Sequence, residues 1–168
     1  MTGVTQTGIV IDRATSASPE AVFAALSEAE SFASWFGGTD VEVPADRLEF
    51  NAVEGGRWRA TMVLPDGNTI DWQGGFVKVQ PPMHFDFTLT DVPGEDAPEV
   101  LVTVTVVSAD GGAALQMTQE TPDFPHEQKA ATLEGWQVFL DEVLRIAEGE
   151  TGAQAGEGEQ SEQPGGAE

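Results

Sequence analysis

The chain has 168 residues with no cysteine and no tyrosine, and 29 acidic residues against 7 basic ones give it a net charge of −22. That length suits one domain with a real core and is too short for two comfortable ones, while the lack of cysteine excludes disulfides and thiolate metal sites. A surface this acidic repels phosphate backbones and anionic membranes, which argues against nucleic-acid and membrane-surface partners.

Residues 1–7 are expected to be a flexible N-terminus, with no basic region and apolar run of the secretory kind. No apolar stretch approaches ~18 residues, so no membrane span is expected and the location is taken as cytoplasmic. Residues 8–13 alternate around Ile9 and Ile11 and predict a first strand. Ser18-Pro19-Glu20 then opens a helix: a hydroxyl cap, proline at the first helical position and an acid in the first turn. Val22, Phe23 and Leu26 form its buried stripe. A second start at Ser27-Glu28 predicts a short helix carrying Phe32, Trp35 and Phe36 to a stop at Gly37-Gly38.

From residue 41 to 120 the hydrophobic period falls to two, the signature of half-buried strands. Val41 with Val43, and Leu48 with Phe50, predict short strands; Trp58, Ala60, Met62 and Leu64 share the inner face of the next. Pro65-Asp66-Gly67-Asn68 is a hairpin turn. Ile70 and Trp72 continue inward as far as Gly74-Gly75, where a bulge or bend is expected. Past it, Phe76 or Val77 faces the core with Val79. Met83, Phe85, Phe87 and Leu89 share one face, as do Val100, Val102, Val104 and Val106, and then Leu115 and Met117. A Pro-, Gly- and acid-rich loop over residues 91–98 separates the last strands.

Pro122 and Pro125 precede a helix over residues 126–147, whose large residues Leu133, Trp136, Leu140, Val143 and Ala147 recur in steps of three and four, with Phe139 and Leu144 widening the stripe. Residues 149–168 lack branched apolar and aromatic side chains and are expected to form a disordered acidic tail. Six acids and no base lie from Glu148 onward, so residues 1–147 keep a net charge of −16. The acidity belongs to the folded part too, and solubility is its plainest meaning. The expected architecture is α+β: a curved antiparallel sheet of six or seven strands around one long C-terminal helix, with two short helices after strand one. The domain spans residues 8–148.

The order and spacing of Ala17-Ser18-Pro19-Glu20-Ala21-Val22-Phe23, Trp35-Phe36-Gly37, Gly55-Gly56-Arg57-Trp58, Pro65-Asp66-Gly67, Gly75 with Pro81-Pro82, and Gly135-Trp136 with Leu140 resemble the START-like (SRPBCC) superfamily and its helix-grip fold. Within it the chain is similar to the family named for the activator of heat-shock-protein-90 ATPase homologue. The resemblance implies an apolar cavity between helix and sheet, which the superfamily uses for lipids, polyketides and other apolar ligands. It carries over no catalytic residue. In the eukaryotic co-chaperone this kind of domain follows a separate N-terminal domain, whereas about seven residues precede the first predicted strand here.

Few residues offer chemistry. His84 and Asp86 lie two apart on a strand, the spacing of an acid–base or metal pair, but Met83, Phe85 and Phe87 claim the inner face and leave that pair outside. His126 opens the long helix as a surface or end residue. The Gly-Gly pairs sit at turns rather than in a phosphate loop. No catalytic residue, metal ligand or cofactor is assigned. The candidate ligand-binding set is the inward one: Trp35, Phe36, Trp58, Met62, Trp72, Phe85, Phe87, Leu115, Met117, Trp136, Phe139 and Leu140. Taken singly these are core residues; together they suit an apolar pocket of roughly 300–1,000 Å³. Gln119, in phase with Leu115 and Met117, is the candidate polar group at its mouth, and Lys78 joins it if the strand phase survives Gly74-Gly75. The favoured function is non-catalytic binding of a small apolar molecule. The alternatives are a co-chaperone or other protein-interaction module and a cyclase- or hydrolase-like enzyme.

Overall fold

The structure is a computed structural model that describes residues 2–37, 40–92 and 99–155, with side chains of the last helix described through Gly149. The described residues form eight strands: β1 (Gly3–Val4), β2 (Gly8–Thr15), β3 (Glu49–Phe50), β4 (Arg57–Val63), β5 (Thr69–Gln80), β6 (His84–Leu89), β7 (Val100–Ala109) and β8 (Gly112–Glu120). Helices α1 (Pro19–Ser27) and α2 (Ala29–Trp35) lie between β2 and β3, and α3 (His126–Ala155) closes the chain. All eight strands join one antiparallel sheet in the order β1-β2-β8-β7-β6-β5-β4-β3. The chain's first long strand thus pairs with its last, and the strands from β7 back to β3 follow in order on the far side of β8. The α+β reading holds: antiparallel sheet, two short helices after the first long strand, one long C-terminal helix.

Local chemistry explains the helix starts. Ser18 caps α1 by accepting from the Ala21 amide at 3.1 Å, with Pro19 at the first helical position. Ser27 does not cap α2: its hydroxyl turns back to the Phe23 carbonyl at 2.8 Å, and Glu28 takes the cap position without a side-chain bond. The inward residues of the strands and the stripes of all three helices merge into one core cluster running from Ile9 to Ala147. Trp35 is fully buried there and donates to the Ala25 carbonyl at 2.9 Å, and Trp58 donates to the Thr88 carbonyl at 3.0 Å.

Several expectations need correction. The sheet has eight strands rather than six or seven: the short strand expected at Leu48 and Phe50 is the edge strand β3, and the other two-residue edge strand, β1, is too short to show a period. Strand β1 lies in the segment expected to be flexible: Gly3 and Val4 pair with Val10 and Ile9, and Lys129 of α3 donates to the carbonyls of Thr5 and Gln6. Residues 41–43 make no strand, only an isolated bridge from Glu42 to Val63. The irregularity in β5 falls at Val77, not at Gly74-Gly75; β4 and β5 pair regularly through Gly75, and the register against β6 shifts between Phe76 and Lys78. Phe76 is therefore buried and Val77 exposed, and Val79 returns to the inner side opposite Phe85.

That shift also turns Lys78 outward, in register with Asp86, so it cannot serve the inner face. Met83 sits in the turn before β6 and is 48% exposed rather than inward. Helix α3 runs on to Ala155, past its predicted end at residue 147 and through both Gly149 and Gly152. The rest of the expected tail, residues 156–168, lies outside the described residues, as do Gly38 and residues 93–98 of the predicted loop.

Candidate functional site

Helix α3 presents one continuous face to the sheet, but the face changes character along its length. Leu140, Val143 and Ala147 are fully buried in the core. Toward the N-terminus the same face continues through Phe139, Trp136, Gly135, Thr132 and Gln128, and these border a cavity of about 630 Å³. The opposite wall comes from the sheet: Trp72 of β5, Leu89 of β6, Val100 of β7 and Gln119 of β8. Phe36, just after α2, closes one side, and the segment Pro122-Asp123-Phe124 leading into α3 closes another. Asp91, Val92 and Asp123, all exposed, stand at the rim.

Five of the residues singled out from the sequence border this space: Phe36, Trp72, Gln119, Trp136 and Phe139. The other eight do not. Trp35, Trp58, Met62, Phe85, Phe87, Leu115, Met117 and Leu140 are each at most 5% exposed and pack against one another. An aromatic cluster explains why that part is full. Phe32 lies 4.7–5.3 Å, centroid to centroid, from Trp35, Phe36, Phe50 and Trp58. Phe36 and Phe139 bridge the two regions, their rings 5.7 Å apart. The sequence reading also missed Leu89, Val100, Thr132, Gly135 and the Pro122–Phe124 segment. The usable signal was on the helix: where a strongly apolar stripe gives way to Gln128, Thr132 and Gly135 on the same face, that face has less to pack with.

Polar atoms are few in the wall and unevenly satisfied. Gln119, 5% exposed, accepts at Oε1 from the Trp136 indole at 2.5 Å. Thr132 donates to the Gln128 carbonyl, and Thr90 accepts from the Val92 amide. The indole nitrogen of Trp72 is buried and has no hydrogen-bond partner among the described residues. Behind the wall, Glu99 accepts from Arg57 Nη2 at 2.7 Å and from Thr88 Oγ1 at 2.6 Å, and Thr88 in turn accepts from the Gly75 amide at 3.0 Å. This network fixes the start of β7, hence Val100, against β5 and β6. Partial burial pushes the Glu99 carboxyl up, yet the bonds from Arg57 and Thr88, the Arg57 charge and a contact from Gln73 together hold it below its ordinary value.

His84 stands on the outer side of β6, in register with Gln80 and Thr105, and Asp86 faces Lys78 and Thr103 there; neither reaches the cavity. His126 is exposed at the first position of α3. Among the described residues no group of three or more His, Cys, Asp or Glu side chains is placed to hold a metal ion, and no helix is long and apolar enough to cross a membrane.

The family model described as "Activator of Hsp90 ATPase homolog 1-like protein" matches residues 16–148. Among solved structures, an AHSA1-like protein from Aeromonas hydrophila is 28% identical, with 90% of this chain and 99% of that one covered at a TM-score of 0.69. The AHSA1 protein from Silicibacter pomeroyi is 25% identical over 84% of this chain and 97% of its own, at a TM-score of 0.71. A Chromobacterium violaceum protein is likewise 25% identical, over 84% and 98%, at 0.72. No curated protein matches the chain.

Proposed function

The chain belongs to the Activator of Hsp90 ATPase homolog 1-like protein family, and from that premise we propose that residues 8–148 form a non-catalytic, cytoplasmic START-like domain that holds a small apolar molecule in the cavity beside α3. One observation carries this reading. Gly135 sits inside α3 on the cavity wall, and a Cβ added to it would meet no atom within 4 Å. Glycine in a helix interior is less favourable than alanine by about 0.5–1 kcal/mol. The helix forgoes that stability at a wall position where an added side chain would enter the space. The cavity volume also lies within the ~300–1,000 Å³ typical of small-molecule sites, and Phe36, Trp72, Trp136 and Phe139 supply aromatic walls.

Denaturing the purified protein and extracting it for mass spectrometry tests this directly. The expected result is a small apolar compound released in proportion to protein and absent from a variant whose cavity is filled. Equal recovery from the filled variant would remove the cavity as its source.

The family's name supports a second reading, stimulation of a chaperone ATPase, and the net charge of −22 favours a basic protein partner over nucleic acid. An unchanged chaperone ATPase rate at saturating protein would end that reading without touching the first.

A further inference from the structure

The chain has four tryptophans, and three of their indole N–H groups have acceptors inside the protein: Trp35 on Ala25, Trp58 on Thr88 and Trp136 on Gln119. The fourth, Trp72, has none among the described residues although its nitrogen is buried, and its side chain borders the cavity. A buried donor without an acceptor is destabilising, so such groups are rare and call for an explanation.

Gln119 supplies a second donor by the same logic. An indole nitrogen only donates, so the atom 2.5 Å from Trp136 Nε1 has to be the amide oxygen of Gln119. Its NH₂ group is thereby turned away from Trp136, and it has no other hydrogen bond among the described residues. Gln119 also borders the cavity. Two largely buried side chains that border the cavity, Trp72 of β5 and Gln119 of β8, therefore carry donors unmatched within the described residues, the Trp72 nitrogen lying just beneath the accessible surface, while Thr132 already donates to the Gln128 carbonyl.

Charge narrows the choice further. Among the described residues no lysine, arginine or histidine lines the cavity, and the ionisable ones that border it are Asp91 and Asp123. The nearest cation in sequence, Lys129, is committed to the carbonyls of Thr5 and Gln6. An anion entering here would be desolvated without a countercharge and would pass two carboxylates on the way.

We propose that the cavity selects neutral, largely apolar ligands bearing a carbonyl-type acceptor, such as a ketone, ester or amide, over both plain hydrocarbons and carboxylate anions. Trp72 and Gln119 are the groups that read the acceptor. The proposal rests on the cavity being a binding site, and its test separates the two claims.

Three naphthalenes substituted at the same ring position serve as probes: acetonaphthone, ethylnaphthalene and naphthoate, measured by equilibrium dialysis against the full chain at neutral pH. One net hydrogen bond makes the ketone bind about 2- to 12-fold tighter than the hydrocarbon, and the anion binds weakest. Trp72→Phe removes the indole donor without breaking any bond within the protein. It lowers the ratio of ketone to hydrocarbon affinity, both probes being measured on each protein. Equal binding of ketone and hydrocarbon to the wild type, tightest binding of naphthoate, or a ketone preference unchanged in Trp72→Phe would overturn the selectivity while leaving the binding site standing. Failure of all three probes to bind would instead overturn the binding reading itself.

Discussion

The indole nitrogen of Trp136 lies 2.5 Å from Oε1 of Gln119, a hydrogen bond that ties the inner face of α3 to β8 at the edge of the cavity. The same ring packs against Trp35, Phe87 and Phe139, with centroids 5.2–6.3 Å away. Trp136 is thus wall and structural member at once. Trp136→Phe keeps most of the ring packing but leaves the Gln119 oxygen without its donor. It should cost about 1–3 kcal/mol in urea denaturation. Adding Gln119→Leu should recover part of that loss, because removing both partners is cheaper than orphaning one. Fully additive losses would show that the bond contributes nothing to stability.

Gly74 and Gly135 should respond in opposite directions to the same substitution. A Cβ on Gly74 would stand 1.7 Å from the Thr88 carbonyl oxygen and 2.6 Å from Trp58 Nε1, inside the bond those two groups share. Gly74→Ala is expected to destabilise by at least about 1–3 kcal/mol. Gly135→Ala meets open space and is expected to stabilise by about 0.5–1 kcal/mol through helix propensity. Thermal melts of the two variants give the comparison, and a destabilising Gly135→Ala would show that the wall is tighter there than the structure has it.

Glu99 gives a pH dependence with a definite sign. Its carboxyl is held below the ordinary value of 4.5 in the folded protein, so the folded state binds that proton less readily than the unfolded chain does. The stability it contributes is present above about pH 4.5 and is lost as the pH falls through the lower folded value. Glu99→Gln should therefore show a shallower loss of stability on acidification than the wild type. Parallel curves for the two proteins would mean that the Arg57–Glu99–Thr88 network does not couple to folding. Titration of the many other acids is common to both proteins and cancels in the difference.

The sequence revealed the fold more fully than the site, for physical reasons. Period-two alternation at Trp58, Met62, Phe85, Phe87, Leu115 and Met117 marks an inner face, and the structure buries all six. Alternation cannot tell a filled interior from a hollow one, so eight core residues entered the candidate site beside the five that border the cavity. What separates them is how well α3 fits the sheet at each level, a property of three-dimensional packing. The bulge was placed two residues early because Gly74-Gly75 is a bend signal, whereas here Gly74 makes room for the bond between Trp58 and Thr88. Lys78 was misread through the same error. Gln119 was found by phase alone; its bond to Trp136 joins residues 17 apart in sequence and follows no local pattern.

The central claim is that the space beside Gly135 is where a small apolar molecule binds, and filling that space tests it most directly. Gly135→Leu places a side chain in the cavity from a position where a Cβ meets nothing within 4 Å, so the variant should fold with a melting temperature at or above that of the wild type. Ethylnaphthalene binding is then measured for both proteins by equilibrium dialysis. Saturable binding to the wild type and its loss in Gly135→Leu is the predicted result. Equal affinity for a well-folded Gly135→Leu would place the ligand elsewhere and contradict the account.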